Sequence, residues 1–368
     1  MKKIAVVGST GVIGSQALEI GRSYAKDLKV VSLVCGRNAA KFKKQVEEFR
    51  PKMAVVAERD GEDKVLEAVR HPEVELVLVA VVGLAGLKPT LAAIRAGKDV
   101  ALATKEVLVV AGELVMKEVA KYKVNLIPVD SEHSAIFQGL KAGRREEIKR
   151  LILTMGKGRL ALMKKKELEK VTMAQVLKRK TWRMGMKIGV DSATCMNKAF
   201  EVIEASWLFG VKPEKIEIVV QPEYLCHSMV EFVDGSVMAE LGVPDMRRYI
   251  QYALFYPERR EVKRTSSIDW KGKVINFEKP PMEKFECLGM GHRVLRKGGT
   301  MPAVLHGADR VGVEAFGEGR IGFMEIAKVI DKVLRKYKVV KNPGLKEIIK
   351  AEKWGGEMAE KIIEEGLR

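Results

Sequence analysis

Aromatic residues make up only 6% of this 368-residue chain, and the five histidines, His71, His133, His227, His292 and His306, never fall at metal-ligand spacing. The first scarcity argues against a nucleic-acid platform, which stacks bases on exposed rings, and the second against a histidine-rich metal centre. The four cysteines, Cys35, Cys195, Cys226 and Cys287, stand far apart with no C-x-x-C pair. Neither a zinc site nor a disulfide framework is legible in them, and a reduced, cytoplasmic setting is expected. Long apolar runs are missing as well. The longest, LVLVAVVGLAGL from Leu76 to Leu87, falls short of a membrane span. The apolar run after the starting MKK stops at Gly8, too short for a signal peptide, so a soluble protein with no membrane partner is expected.

What is abundant is charge and aliphatic carbon. Charged residues are 31% and apolar residues 47%, with a net charge of +18. Lys and Glu dominate the charge, a balance common in proteins from hot environments. The positive excess predicts an anionic partner. The lysines are scattered rather than gathered in one basic arm, so that anion is read as a small molecule and not a nucleic acid.

The first 130 residues alternate β-rich runs (IAVVG, LKVVSLV, MAVVA, LVLVAVV, DVALAT, VNLIPVD) with helical patterns. Continuous Val/Ile/Leu strands separated by helices predict a parallel sheet covered on both faces, a Rossmann-type doubly wound α/β domain over residues 1–150. A mixed, more charged α+β domain is expected over 151–280, with a helix from about Thr194 to Leu208. Pro280, Pro281 and the Gly298–Gly299 pair mark 281–299 as a linker, and amphipathic patterns make 300–368 a helical C-terminal domain.

Three motifs carry chemistry. In IAVVGSTGVIGSQALEI, Gly8, Gly11 and Gly14 follow a strand and open a helix, so the helix N-terminus can face a pyrophosphate. The next strand ends in Gly36, Arg37 and Asn38 instead of an acid, which favours a 2′-phosphate and hence NADPH. In LIPVDSEHSAIF, Asp130 and Glu132 end a buried strand; read as extended, they point to one side, and two converging carboxylates suit a hard divalent cation or, equally, a solvated loop. In VDSATCMNKAFEVIEA, Asp191, Ser192 and Thr194 read as N-cap residues of a helix whose Asn197, Lys198 and Glu201 share a face. That face fits a phosphate grip beside a metal carboxylate, or a polar surface stripe.

Together these stretches resemble the 1-deoxy-D-xylulose 5-phosphate reductoisomerase family over nearly the whole chain, most specifically in VDSEH and VDSAT..NK...E. The resemblance implies an NADPH domain, a catalytic domain that also forms a homodimer, and a C-terminal helical domain. It implies rearrangement of a linear phosphorylated sugar, by retro-aldol cleavage and re-aldolisation, and reduction of the resulting aldehyde to 2-C-methyl-D-erythritol 4-phosphate. NADPH would supply the hydride and Mg²⁺, Mn²⁺ or Co²⁺ the Lewis acid. Carried over by motif, the metal ligands are Asp130, Glu132 and Glu201. Substrate contacts are Lys105, Ser131, Ser192, Asn197 and Lys198, with His227, Met246 and the lid residue Trp182 around the site. Cofactor contacts are Thr10, Gly11, Val12, Ile13, Gly36, Arg37, Asn38, Thr104, Glu106 and Gly185.

The departures cluster at the phosphate end. TMGKGRL stands where many relatives carry T-x-S-G-G-P-F, so a phosphate-holding serine is replaced by Gly156; Arg179 and Lys180 replace a His-Pro pair before Trp182; Tyr224 replaces a serine; and LHGADRVGV replaces Asn-Ala-Ala-Asn-Glu. Lys157, Arg159 or Arg179 is expected to compensate by charge-assisted bonds to the phosphate, while Lys164 to Lys166 stay solvated. The alternatives are a paralogous oxidoreductase or oxidoisomerase acting on another acyclic sugar, and a non-catalytic nucleic-acid-binding protein on the same scaffold. Three converging acids speak against the last.

Overall fold

The computed structural model describes residues 1–37, 39–178, 185–263 and 265–366. Strands and helices alternate at first: β1 (Lys2–Val7), α1 (Val12–Ser23), β2 (Leu28–Cys35), α2 (Ala39–Phe49), β3 (Met53–Val56), α3 (Ala57–Arg70), β4 (Leu76–Val79), α4 (Leu87–Arg95), β5 (Asp99–Leu102), α5 (Glu106–Tyr122), β6 (Leu126–Pro128) and α6 (Ser131–Gly139). There follow β7 (Ile148–Met155), α7 (Lys165–Leu168), α8 (Met173–Leu177), α9 (Met186–Thr194), α10 (Met196–Phe209), β8 (Ile216–Val220), β9 (Cys226–Phe232), β10 (Val237–Leu241) and α11 (Met246–Phe255). The chain ends in α12 (Met290–Lys297), α13 (Met301–Gly317), α14 (Glu325–Lys336) and α15 (Leu345–Glu364).

The chain divides into two compact units. The first comprises Met1–Val107, Val115–Gln138 and Gly242–Trp270. Its six strands are all parallel in the order β3-β2-β1-β4-β5-β6, the doubly wound order with a switch point between β1 and β4. The aliphatic runs are strands because both faces are covered: Ile4, Val6, Leu33, Leu76 and Leu78 are fully buried. Each such side chain contributes about 2 kcal/mol of burial. Ile250, Ala253, Leu254 and Phe255 of α11 join this core, and the Phe255 ring meets Tyr24 edge-on at 5.1 Å. Residues 242–270, expected with the catalytic domain, therefore complete the first unit instead. Their apolar helix face finds its partner there.

The second unit comprises Leu108–Leu114, Gly139–Leu241 and Lys271–Arg368. Its four-stranded sheet runs β10-β9-β7-β8, with β7 parallel to β8 and antiparallel to β9. The inner strand β7 was not anticipated: Leu151 to Thr154 are all buried, so no two-residue alternation marks the run as a strand. Residues 281–299 are not a structureless linker: a 3-10 turn at Glu286–Gly289 leads into α12, and Cys287, Leu288, Met290 and Val294 are buried. Two prolines and two glycines bracket a short helix here rather than an irregular stretch. Among the described residues no helix is long and apolar enough to cross a membrane, and all four cysteines are buried.

Candidate active site

In the first unit the glycine turn sits at the carboxyl edge of β1. Gly8 has φ +91°, and a Cβ there would lie 2.2 Å from the Ala80 carbonyl oxygen. A Cβ on Gly14 would lie 2.2 Å from the Gly8 oxygen, so the absence of side chains lets helix, turn and β4 close together. Gly11 precedes α1 and Val12 opens it, which directs the first-turn N–H groups of Val12 and Ile13 to that edge. Val12 and, beyond β4, Val82 stand 60% and 81% exposed. Ser9 donates to Gln45 (2.8 Å), and Lys41 reaches the Thr10 carbonyl (2.8 Å) and Ser15 (2.6 Å). Gln45, Lys41 and Val82 were missed, since nothing in their local sequence marks them.

Around the second strand's end, the Cβ position of Gly36 is open, and exposed Arg37 pairs with Glu58 at 3.1 Å. Asn38 lies outside the described residues. Thr104 is buried: its hydroxyl donates to the Val81 carbonyl (2.6 Å) and accepts from the Val81 N–H (3.1 Å), so it shapes the loop behind Val82. Glu106 opens α5 one residue beyond Lys105.

Asp130 and Glu132 are not on an extended strand. Pro128 ends β6, and α6 begins at Ser131, with the Ser134 N–H bonding the Asp130 carbonyl at 2.8 Å. Ser131 donates to the Glu132 carboxylate within the first turn. The Lys105 ammonium lies 2.8 Å from Asp130, their side chains exposed by only 11% and 16%, and the buried His133 ring faces the same carboxylate at 3.5 Å. Burial is the largest single influence and pushes the Asp130 carboxyl up, but Lys105 and His133 together outweigh it and hold it well below the usual carboxylate range. Asp130 is thus kept ionised. The sequence did not mark His133 as this carboxylate's partner, because its three-residue offset from Asp130 has meaning only on a helical turn.

In the second unit the helix expected from about Thr194 to Leu208 is α10, but a further helix, α9, precedes it and joins it through Cys195 at φ +65°. Asp191, Ser192 and Thr194 are therefore not N-caps. Ser192 and Thr194 lie in the last turns of α9 and bond back to the Ile188 (2.8 Å) and Val190 (3.1 Å) carbonyls, a use of hydroxyls that competes with capping. On α10, Asn197 and Lys198 both donate to the Glu201 carboxylate, and Lys198 also donates to the Thr154 carbonyl at the end of β7. Lys198, Glu201 and Glu204 are 4%, 1% and 1% exposed. This is no surface stripe.

Nearby, Lys187 bridges Asp191 and Asp309, so the altered LHGADRVGV segment supplies a buried carboxylate to a half-buried lysine. His227 is buried on β9, Gly185 precedes α9, and Met246, at the start of α11, packs into the first unit's core. Arg179, Lys180 and Trp182 lie outside the described residues. After β7, Lys157 pairs with Glu278 (2.7 Å) and Arg159 donates to the Gln175 carbonyl (3.3 Å), while Lys164 to Lys166 are exposed as expected. Tyr224 is packed over Gly156.

A parallel-sheet dinucleotide fold bearing buried carboxylates paired with ammonium groups defines an oxidoreductase-type α/β enzyme with oxygen donors for a cation. Models of the 1-deoxy-D-xylulose 5-phosphate reductoisomerase match residues 4–61 and 59–112, and those of its C-terminal domains match 126–209 and 241–358. A 1-deoxy-D-xylulose 5-phosphate reductoisomerase of Caldanaerobacter subterraneus subsp. tengcongensis is 45% identical, with 100% of each chain covered. The Zymomonas mobilis enzyme in complex with NADPH superposes with a TM-score of 0.92 at 35% identity over 99% of both chains. A reductoisomerase in complex with NADPH, fosmidomycin and magnesium gives 0.87 at 31% identity, over 99% of this chain and 98% of that one. The chain belongs to the 1-deoxy-D-xylulose 5-phosphate reductoisomerase family.

Proposed function

We propose that this chain converts 1-deoxy-D-xylulose 5-phosphate to 2-C-methyl-D-erythritol 4-phosphate using NADPH and a divalent cation. The observation that carries the reading is α10, which sets Asn197 and Lys198 within one turn of the buried Glu201 carboxylate. A phosphate grip and a cation ligand on one rigid element fix the distance between a substrate's charged tail and its reacting carbons.

The donor chemistry fits the cation. Asp130, Glu132 and Glu201 are all oxygen ligands, preferred by hard divalent ions such as Mg²⁺ and Mn²⁺, and Co²⁺ accepts them as well. Bound there, the ion would act as a Lewis acid on the substrate's oxygens. Lys105 holds Asp130 ionised and, with Ser131, orients the hydroxy-carbonyl end. Ser192, Asn197 and Lys198 bind the phosphate. The glycine turn with Thr10 to Ile13 receives the pyrophosphate, and Gly36 and Arg37 the 2′-phosphate. The NADPH-binding part is the first unit (Met1–Val107, Val115–Gln138 and Gly242–Trp270), and the second unit supplies the catalytic helix α10 and the helical C-terminal segment. A homodimer belongs to the same reading: edge strand β10 exposes Val237, Met238 and Leu241, which a second copy would cover. Four buried, widely separated cysteines support a cytoplasmic setting.

The test is NADPH oxidation with the phosphorylated sugar, with and without Mg²⁺ or Mn²⁺. Turnover that EDTA abolishes and metal restores supports the proposal; absence of turnover with NADPH still bound favours a different acyclic sugar. Glu201→Gln should lower kcat roughly 1,000-fold or more while far-UV circular dichroism stays unchanged. An active variant would refute its role as ligand.

A further inference from the structure

We infer that Tyr224 is a substrate-binding residue that supplies to the phosphate the hydroxyl that position 156 lacks. The inference rests on the reductoisomerase reading above and adds to it a specificity-determining contact particular to this chain.

A Cβ built on Gly156 would lie 1.8 Å from Tyr224 Cε1, 2.1 Å from Cζ and 2.5 Å from the hydroxyl oxygen. The ring therefore fills the space any side chain at 156 would enter, and its hydroxyl sits where such a side chain would begin. The placement is built into the backbone. The Gln221 N–H donates to the Met155 carbonyl (2.7 Å), and Gln221 Oε1 accepts from the Leu225 and Cys226 N–H groups (2.7 and 3.3 Å). These bonds fasten the turn carrying Tyr224 to the end of β7. Tyr224 itself has φ +56°, a left-handed conformation that bulky residues seldom adopt without a reason. Glu223, next to it, is held by Asn276 Nδ2 at 2.6 Å.

The same end of β7 receives the phosphate-binding ammonium, since Lys198 donates to the Thr154 carbonyl two residues before Gly156. In an extended chain that separation is roughly 7 Å, the span of one phosphate and its donors. The loop's own cations point elsewhere: Lys157 to Glu278 and Arg159 to the Gln175 carbonyl. A phenolic O–H is a neutral, directional donor to a phosphate oxygen, so the loop exchanges a small flexible donor for a rigid one on a different turn.

Two readouts test this. In steady state, Tyr224→Phe should raise KM for 1-deoxy-D-xylulose 5-phosphate about ten-fold, with kcat and the KM for NADPH within about two-fold of the parent. By calorimetry, inorganic phosphate should bind the parent more tightly than Tyr224→Phe by a similar factor. Gly156→Ser, which collides with the ring, should also raise KM, and the double substitution Gly156→Ser with Tyr224→Ser should restore it toward the parent value. Unchanged phosphate affinity in Tyr224→Phe overturns the inference, whether or not the sugar is turned over. A parent that binds phosphate through Tyr224 yet does not oxidise NADPH with this sugar sinks the functional proposal and leaves this contact standing.

Discussion

The loop after β1 and the loop after β7 both leave the carboxyl end of a parallel strand, and both carry glycines where a phosphate would approach. They are held in opposite ways. In the first, Gly8 and Gly14 are fixed by backbone oxygens 2.2 Å from their missing Cβ atoms. In the second, Gly156 is fixed by a tyrosine side chain from a distant turn. A backbone constraint admits one residue type and so is visible in the local sequence; a side-chain constraint can be met by altering both partners, and the local sequence then drifts.

Four outcomes test that contrast, in falling order of effect. Gly8→Ala meets an immovable carbonyl at a positive φ, and should cost about 3 kcal/mol or more in urea unfolding and abolish NADPH binding by fluorescence titration. Retained NADPH affinity would remove the backbone account. Gly156→Ser meets a ring that can swing away, so its stability cost should be only about 1–2 kcal/mol. An equal cost at the two glycines would erase the distinction.

The third outcome concerns the turn under Tyr224. The bond from Asn276 holds the Glu223 carboxyl below the usual carboxylate range. A depressed folded-state value stabilises above the unfolded pKa and stops doing so as pH falls through the folded value. The melting-temperature gap between the parent and Glu223→Gln should thus be present at pH 7 and close as pH drops below about 4. A gap that widens on acidification contradicts the assignment. Smallest of all, Lys157→Ala should change KM for the sugar phosphate by less than about two-fold, because an exposed ion pair such as Lys157–Glu278 is worth little. A ten-fold rise would return the basic loop to the role its sequence suggested.

The first unit was legible almost strand by strand, because fully covered parallel strands announce themselves as unbroken aliphatic runs. The carboxylates and the Asn197–Lys198–Glu201 helix were legible as residue types but not as geometry. Asp130 reads as a strand end only until Pro128 stops β6, and the break at Cys195 is hidden because cysteine gives no sign of a left-handed turn. The pairings of Tyr224 with Gly156, and of Lys187 with Asp309, join positions too far apart for any periodicity to reveal.

The return of α11 to the first unit also bears on how the molecule is made. All six parallel strands have been synthesised by Pro128, yet Ile250, Ala253, Leu254 and Phe255, which close part of their core, come only after the whole second sheet. At ordinary translation speeds that delay is on the order of ten seconds. During it the nascent sheet keeps an uncovered apolar face, and no uninterrupted fragment of the gene encodes the nucleotide-binding half with its core intact. Chaperone dependence during synthesis, and failure of an N-terminal fragment ending at Gln138 to stay soluble, are the consequences to expect.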